Sequence, residues 1–184
     1  DKWISEVNCP MLGANVVDTA TGDTYLKPYA VFEREGVRIA VIGMITPAIP
    51  YWLHEKLWQG LRFEDMVSAS RKWVRHVKDV EKADVVVGLF HSGWDGGITT
   101  DKYSEDASMA VAQQVDGFDV IFYGHDHKRA IQNVVNHNGN KVVCIDPGCN
   151  ATSVADATLT LTLEDGKVVS KNIESSLIDV RDMD

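Results

Sequence analysis

Apolar and polar positions follow three rhythms along this chain. Tyr29 to Glu33 and Arg38 to Gly43 are short apolar-rich runs that flank Glu35-Gly36, which predicts a hairpin. Pro10 to Val17 reads as an earlier strand. Thr46-Pro47 to Pro50 reads as a loop, because each proline biases its predecessor away from helix. From Phe63 to Val80 the rhythm is helical: Phe63, Met66, Val67, Ser70, Trp73, Val74 and Val77 recur at three- and four-residue spacing, opposite Arg71, Lys72, Arg75 and Lys78. Glu64 and Asp65 fall in the first turn, where the helix dipole favours acids. Val85 to Phe90 predicts a buried strand and His91 to Thr100 a Gly-rich loop. Glu105 to Val115 predicts a second helix with Ser104 as its N-cap, and Asp119 to Tyr123 another strand.

The third rhythm begins after His127. Ile131–Val135, Lys141–Ile145, Ala157–Leu163 and Val168–Asn172 are short strands separated by Asn138-Gly139, Pro147-Gly148 and Asp165-Gly166. Thr158 to Leu163 alternates strictly, the mark of a half-buried antiparallel strand. A β-α-β-α-β run leading into antiparallel strands predicts a mixed, layered α/β architecture.

The 184 residues are enough to bury a real core, and 45% hydrophobic with 24% charged is an ordinary globular balance. A formal net charge of -9 argues against a nucleic-acid polymer as partner. It also means that an anionic substrate needs a local cation. No stretch approaches the length of a membrane span. The three cysteines, Cys9, Cys144 and Cys149, are too few and too irregular for a disulfide framework or a cysteine-based zinc module. A tight turn at Asp146-Pro147-Gly148 would be needed to bridge the last two.

Candidate chemistry sits where apolar runs end. Val85 to Phe90 leads into His91-Ser92-Gly93, and Asp119 to Phe122 leads into Tyr123-Gly124-His125-Asp126-His127. Ligands of open α/β sheets bind beyond the carboxyl ends of the strands, and parallel strands joined by a crossover put both ends on one edge. His125 and His127 are alternate residues and are expected to point the same way. Three imidazoles there predict a metal site at His91, His125 and His127. Asp126 reads either as a partner that supports a metal ligand or as a solvated turn residue, and the turn residue is the favoured reading. His54, His76 and His137 read as ordinary surface or helix histidines. Tyr51, Trp52 and Trp58 are either packing anchors of their loop or a base-stacking pocket. Trp73 belongs to the helix-face core, and Trp94 to the mouth of the crevice.

Strand-H-S-G followed by strand-G-H-D-H resembles the last two motifs of the calcineurin-like metallophosphoesterases. Within them the chain is similar to the 5'-nucleotidase and 2',3'-cyclic-nucleotide phosphodiesterase branch. The phrases that carry this are Pro10-Met11-Leu12-Gly13-Ala14-Asn15-Val16, Lys27-Pro28-Tyr29, Gly36 to Pro47 and Gly60-Leu61-Arg62-Phe63. The resemblance implies a layered α/β/β/α sandwich that holds two divalent ions: zinc, manganese, iron, cobalt or nickel. By position, His91 and His125 would ligate one ion and His127 the other. A metal-activated water would then attack a nucleotide phosphoester in line. The resemblance also implies an exported, periplasmic or cell-surface location.

The family's opening D-x-H, G-D and G-N-H motifs have no counterpart. No histidine has Asp two residues before it; Gly22-Asp23 lies in a turn, and Asn136-His137 lacks the preceding glycine and comes after Gly124-His125. The expectation is that residues 1–184 are the C-terminal part of a catalytic domain. The opening strands, the remaining ligands and a C-terminal nucleotide-binding domain would lie outside them. Such a fragment is expected to be inactive alone, to hold fewer ions or none, and to expose apolar sheet surface. That surface would be covered by the N-terminal segment of the same protein or by self-association. The alternatives are a non-catalytic domain on the same fold that binds a metal or a partner, and a mononuclear three-histidine zinc hydrolase.

Overall fold

A computed structural model describes residues 2–182. A short helix, α1 (Lys2–Glu6), precedes β1 (Val16–Asp18) and the antiparallel pair β2 (Tyr29–Arg34) and β3 (Val37–Ile45). A one-turn helix, α2 (Ile49–Trp52), leads to β4 (Leu61–Phe63) and then to the long helix α3 (Met66–Asp79). Next come β5 (Val85–His91), the small strands β6 (Gly96–Thr99) and β7 (Ser104–Asp106), α4 (Ser108–Gln114) and β8 (Val120–Phe122). The chain ends with β9 (Arg129–Val135), β10 (Lys141–Pro147) and the long strands β11 (Ser153–Glu164) and β12 (Lys167–Asp179).

The mixed α/β architecture is built on a six-stranded sheet in the order β2-β3-β5-β8-β10-β9. The four central strands run parallel, and β2 and β9 are antiparallel edges. The predicted hairpin turn is real: Glu35 and Gly36 both have positive φ, 51° and 82°, as a two-residue primed turn requires. Helices α3 and α4 cover one face of the sheet, where Ile42, Met66, Val77, Val86, Val111 and Ile121 are fully buried. The β11–β12 hairpin covers part of the other face, packing Ala157, Leu159 and Ile173 onto Val120, Val143 and Ile145. The alternation predicted for Thr158 to Leu163 is the register of that hairpin.

Some boundaries differ from the sequence expectation, each for a tertiary reason. Of Pro10 to Val17 only the end is strand, plus an isolated bridge between Leu12 and Lys27. The Asn15 side chain takes the place of a ladder there: it donates to the Ile45 and Glu64 carbonyls (2.6 and 3.1 Å) and accepts from Ile45 N–H (3.1 Å). Helix α3 starts at Met66 because Phe63 pairs with Val16. Asp65 is its N-cap, accepting from Ser68 N–H at 2.8 Å. Pro50 sits in the first turn of α2, a position that needs no N–H, so the expected loop contains a helical turn. The expected Gly-rich loop contains β6. The expected helix from Glu105 begins only at Ser108, and Glu105 and Asp106 lie in β7 instead. Ser92 takes over the helix start: its Oγ donates to the Glu105 carbonyl (2.8 Å) and accepts from Ala107 N–H (2.9 Å). All three cysteines are free.

Candidate functional site

Strands β5 and β8 run in parallel register, Val87 opposite Val120 and Leu89 opposite Phe122. Their carboxyl ends therefore reach the same edge, and a bridge between Ser92 and Gly124 ties them just beyond it. His91 closes β5, and its carbonyl accepts from Thr46 N–H at 2.8 Å. After β8 the chain turns sharply. His125 has φ 132° and His127 φ 61°, both in the region that non-glycine residues rarely adopt. Backbone strain of this kind persists only where neighbours hold it.

The structure brings His91 and His125 together. His125 Nδ1 lies 3.3 Å from His91 Nε2, with the rings 5.1 Å apart between centroids. The other nitrogen of His125, Nε2, lies 3.0 Å from Glu105 Oε1. Trp52 stacks on the His125 ring at 5.2 Å. His127 sits on the exposed turn two residues further on, near enough for its charge to act on His91. Burial first, then the charges of His125 and His127, hold His91 below the ordinary imidazole range.

Two carboxylates, Glu105 and Asp106, lie beside His125, and two more, Asp126 and Asp146, lie by the turn that carries it. Glu105 Oε2 accepts from Ile98 N–H (2.7 Å) and Asp106 Oδ1 from Gly93 N–H (2.7 Å). Burial pushes Asp106 up against that hydrogen bond. Asp126 is not the solvated residue expected from the sequence: its side chain is 7% exposed and accepts from Trp94 N–H (3.1 Å) and Lys128 N–H (3.3 Å). Below it, Asp146 Oδ1 accepts from Gly148 N–H (2.7 Å), while Oδ2 is buried with no N–H donor in reach. Burial, and the neighbouring Asp126 carboxyl, push Asp146 up to about 6, so it is in acid that a proton satisfies that oxygen. Burial acts the same way on Asp126, but its hydrogen bonds from Trp94, Asp146 and Lys128 outweigh it and leave that group below the usual carboxylate range.

Ligand atoms of Glu105, Asp106 and His125 all lie within 4.8 Å of one another, so a cation has two possible seats, this trio or the His91–His125 pair. The two acids escaped sequence reading because they resemble a helix first turn. A signal was present, since the segment entering a crossover helix passes the carboxyl ends of the strands it connects. The remaining candidates lie elsewhere. His76 hydrogen-bonds the Tyr29 hydroxyl (3.0 Å) and His137 approaches the Gln113 carbonyl. Trp58 anchors its own loop by donating to the Leu53 carbonyl (3.0 Å), and Trp94 packs on Tyr123.

Known proteins resemble this chain in sequence and in fold. A 5'-nucleotidase of Vibrio cholerae is 30% identical over 122 residues, which is 66% of this chain and 22% of the relative. The 2',3'-cyclic-nucleotide 2'-phosphodiesterase/3'-nucleotidase of Yersinia enterocolitica is 30% identical over 137 residues, 68% of this chain and 20% of the relative. The chain thus spans about a fifth of the length of these two curated relatives. The crystal structure of the calcineurin-like phosphoesterase YfkN from Bacillus subtilis superposes with a TM-score of 0.80 at 25% identity, covering 98% of this chain and 58% of that one. The family described as calcineurin-like phosphoesterase matches residues 21–129, more than half of the chain and the span that contains His91, Glu105, His125 and His127. This chain belongs to the calcineurin-like phosphoesterase family.

Proposed function

We propose that the carboxyl end of this sheet is part of a divalent-metal centre that hydrolyses nucleotide phosphoesters, either 5'-monoesters or 2',3'-cyclic diesters. The observation that carries this reading is the 3.3 Å separation of His91 Nε2 and His125 Nδ1. Two nitrogens bound at about 2.0–2.1 Å to one ion lie roughly 3.0–3.4 Å apart, so the spacing of the pair matches a shared ion. His127 is assigned to a second ion. Imidazole ligates in its neutral form, and the depressed His91 favours that form at neutral pH. Zinc, manganese, iron, cobalt and nickel all suit this donor set.

When bound, such ions supply Lewis acidity and a water of lowered pKa. The residues of this chain hold and orient, and none is assigned a proton-transfer role. The carboxylates that would bridge two ions and the histidine that would protonate a leaving group have no counterpart in these 184 residues. We therefore read residues 1–184 as the C-terminal part of a catalytic domain, inactive by itself, and its activity as a property of a longer polypeptide. The exported location belongs to the same proposal. Among the described residues no helix is long and apolar enough to cross a membrane.

The uncovered sheet face supports this reading. Leu89 is 53% and Phe32 40% exposed. A cleft of about 450 Å³ runs between Ile39, Val85 and Val87 on the sheet and Leu159, Leu161 and Leu163 on the hairpin. The hairpin pairs two strands against the six opposite, and β11 has no second neighbour among the described residues. Further strands of the same protein, added beside β11, would close that face; a second copy is the competing occupant.

The test uses the purified 184-residue chain with manganese, cobalt or zinc ions. It is expected to bind a cation that neither His91→Ala nor His125→Ala retains, and to hydrolyse neither 5'-nucleotides nor 2',3'-cyclic nucleotides above the rate of the metal alone. Turnover would refute the partial-site reading, and failure to bind would refute the metal centre.

A further inference from the structure

We infer that Glu105 is a positioning residue: its carboxylate holds the proton of His125 on Nε2 and thereby leaves the Nδ1 lone pair facing His91. The inference rests on the proposed metal centre for its purpose but not for its evidence. The two nitrogens of His125 have different partners, Glu105 Oε1 at 3.0 Å and His91 Nε2 at 3.3 Å. An ionised carboxylate only accepts, so the nitrogen facing it carries the hydrogen, and in a neutral imidazole the other nitrogen is then a free acceptor. His91 supplies the hydrogen that this acceptor takes in the metal-free protein. A cation shared by the two rings would require His91 to carry its hydrogen on Nδ1 instead of Nε2, while the Glu105 contact to His125 stays intact.

Glu105 is itself held on several sides. It lies in β7, paired with β6 by Gly96 opposite Asp106 and Thr99 opposite Ser104. Its second oxygen accepts from Ile98 N–H and its carbonyl from Ser92 Oγ. Gly97, at φ 65°, passes so close that a Cβ there would lie 2.6 Å from the Glu105 carboxyl carbon. The small β6–β7 ribbon, inserted between β5 and α4, thus delivers one carboxylate, 13% exposed, to one ring nitrogen. Trp52 packs against that ring, tilted by 37°.

The competing role for Glu105 is ligation, in a trio with Asp106 and His125. That arrangement requires a lone pair on His125 Nε2, hence a hydrogen on Nδ1 pointing at His91, and it gives up the His91–His125 pair. It also needs Asp106, whose Oδ1 is engaged by Gly93 N–H. The two roles predict opposite tautomers of one residue.

The experiment is long-range proton–nitrogen NMR on the full chain, metal-free and labelled in histidine, at about pH 8, above the ordinary imidazole range. His125 is expected as one tautomer, with hydrogen on Nε2. Glu105→Gln should move it to Nδ1, because Ile98 N–H claims the one amide oxygen and the amide NH2 then faces Nε2; Glu105→Ala should let both tautomers appear. Titration with cobalt(II), followed by its visible absorption, reads the consequence. Wild type should bind most tightly, and both variants about 10- to 100-fold more weakly, the usual cost of losing a partner behind a ligand. Hydrogen on Nδ1 in the wild type, or hydrogen kept wholly on Nε2 in Glu105→Ala or Glu105→Gln, overturns the inference. If the wild type binds no cobalt, the metal centre fails, and the tautomer still decides what Glu105 does.

Discussion

The two ends of the central sheet solve the same problem differently. At the amino end, carboxylates accept from backbone N–H groups: Asp84 Oδ2 from Arg38 (2.9 Å) and Asp119 Oδ2 from Val86 (2.9 Å). Cations complete that end. Lys171 reaches across from the hairpin to both oxygens of Asp119 (2.7 and 2.9 Å), and Arg38 pairs with Glu81 (3.3 Å). At the carboxyl end, Glu105, Asp106, Asp126 and Asp146 likewise accept from backbone N–H groups. There the His125 imidazole meets Glu105, and Lys128, 70% exposed, pairs with Asp126. One end is closed on itself electrostatically; the other gathers carboxylates and imidazoles around strained backbone, a donor set suited to a positive ion.

The comparison breaks first if the amino end is not the stabilising one. Lys171→Met leaves Asp119, 15% exposed, without its cation. Truncating one partner of a buried pair costs about 3–5 kcal/mol, and partial exposure places this one near 3 kcal/mol. Urea unfolding should show it as a lowered midpoint with unchanged slope. Cobalt or zinc should act in the opposite sense at the carboxyl end. At a hundredfold excess over Kd, a cation bound only by the folded state adds about 2.7 kcal/mol, read as a raised Tm that His91→Ala and His125→Ala abolish. Gly93→Ala comes next. Its Cβ would lie 2.5 Å from Asp106 Oδ1 and 2.7 Å from Asp126 Cβ, which should cost about 1–3 kcal/mol and weaken cation binding together. Loss of stability with unchanged cation affinity would uncouple these acids from the site.

What the sequence made legible follows from how local each signal is. The Glu35-Gly36 turn, helix α3 and the alternation in β11 are set by neighbours a few residues apart, so pattern reading finds them. The convergence of His91 and His125 was also legible, because two parallel strand ends and a crossover leave little freedom. Glu105, Asp106 and Asp126 were not. Ser104-Glu105-Asp106 satisfies the local chemistry of a helix start, and only Ser92, from another strand, redirects it into a ribbon. Asp126 looks like a turn acid until Trp94, far away in sequence, donates to it.

The smallest expected effect concerns Asp146, which the carboxyl end lets keep its proton to a higher pH than an ordinary carboxyl. Asp146 is pushed up to about 6, foremost by burial, so the folded chain binds its proton more tightly than the unfolded chain does. Its contribution to stability is therefore complete below the ordinary carboxylate range near 4 and is lost as pH rises through about 6. Asp126, shifted the other way, changes stability only below that window. Asp146→Asn should flatten the dependence between those limits: the amide keeps an acceptor for Gly148 N–H and offers Asp126 a permanent donor in place of that proton. Unfolding of both proteins at a series of pH values reads this as convergence at low pH and a relative gain for the variant at neutral pH. If the two curves instead stay parallel from pH 4 to 7, Asp146 is ionised throughout that range, and burial does not hold its proton.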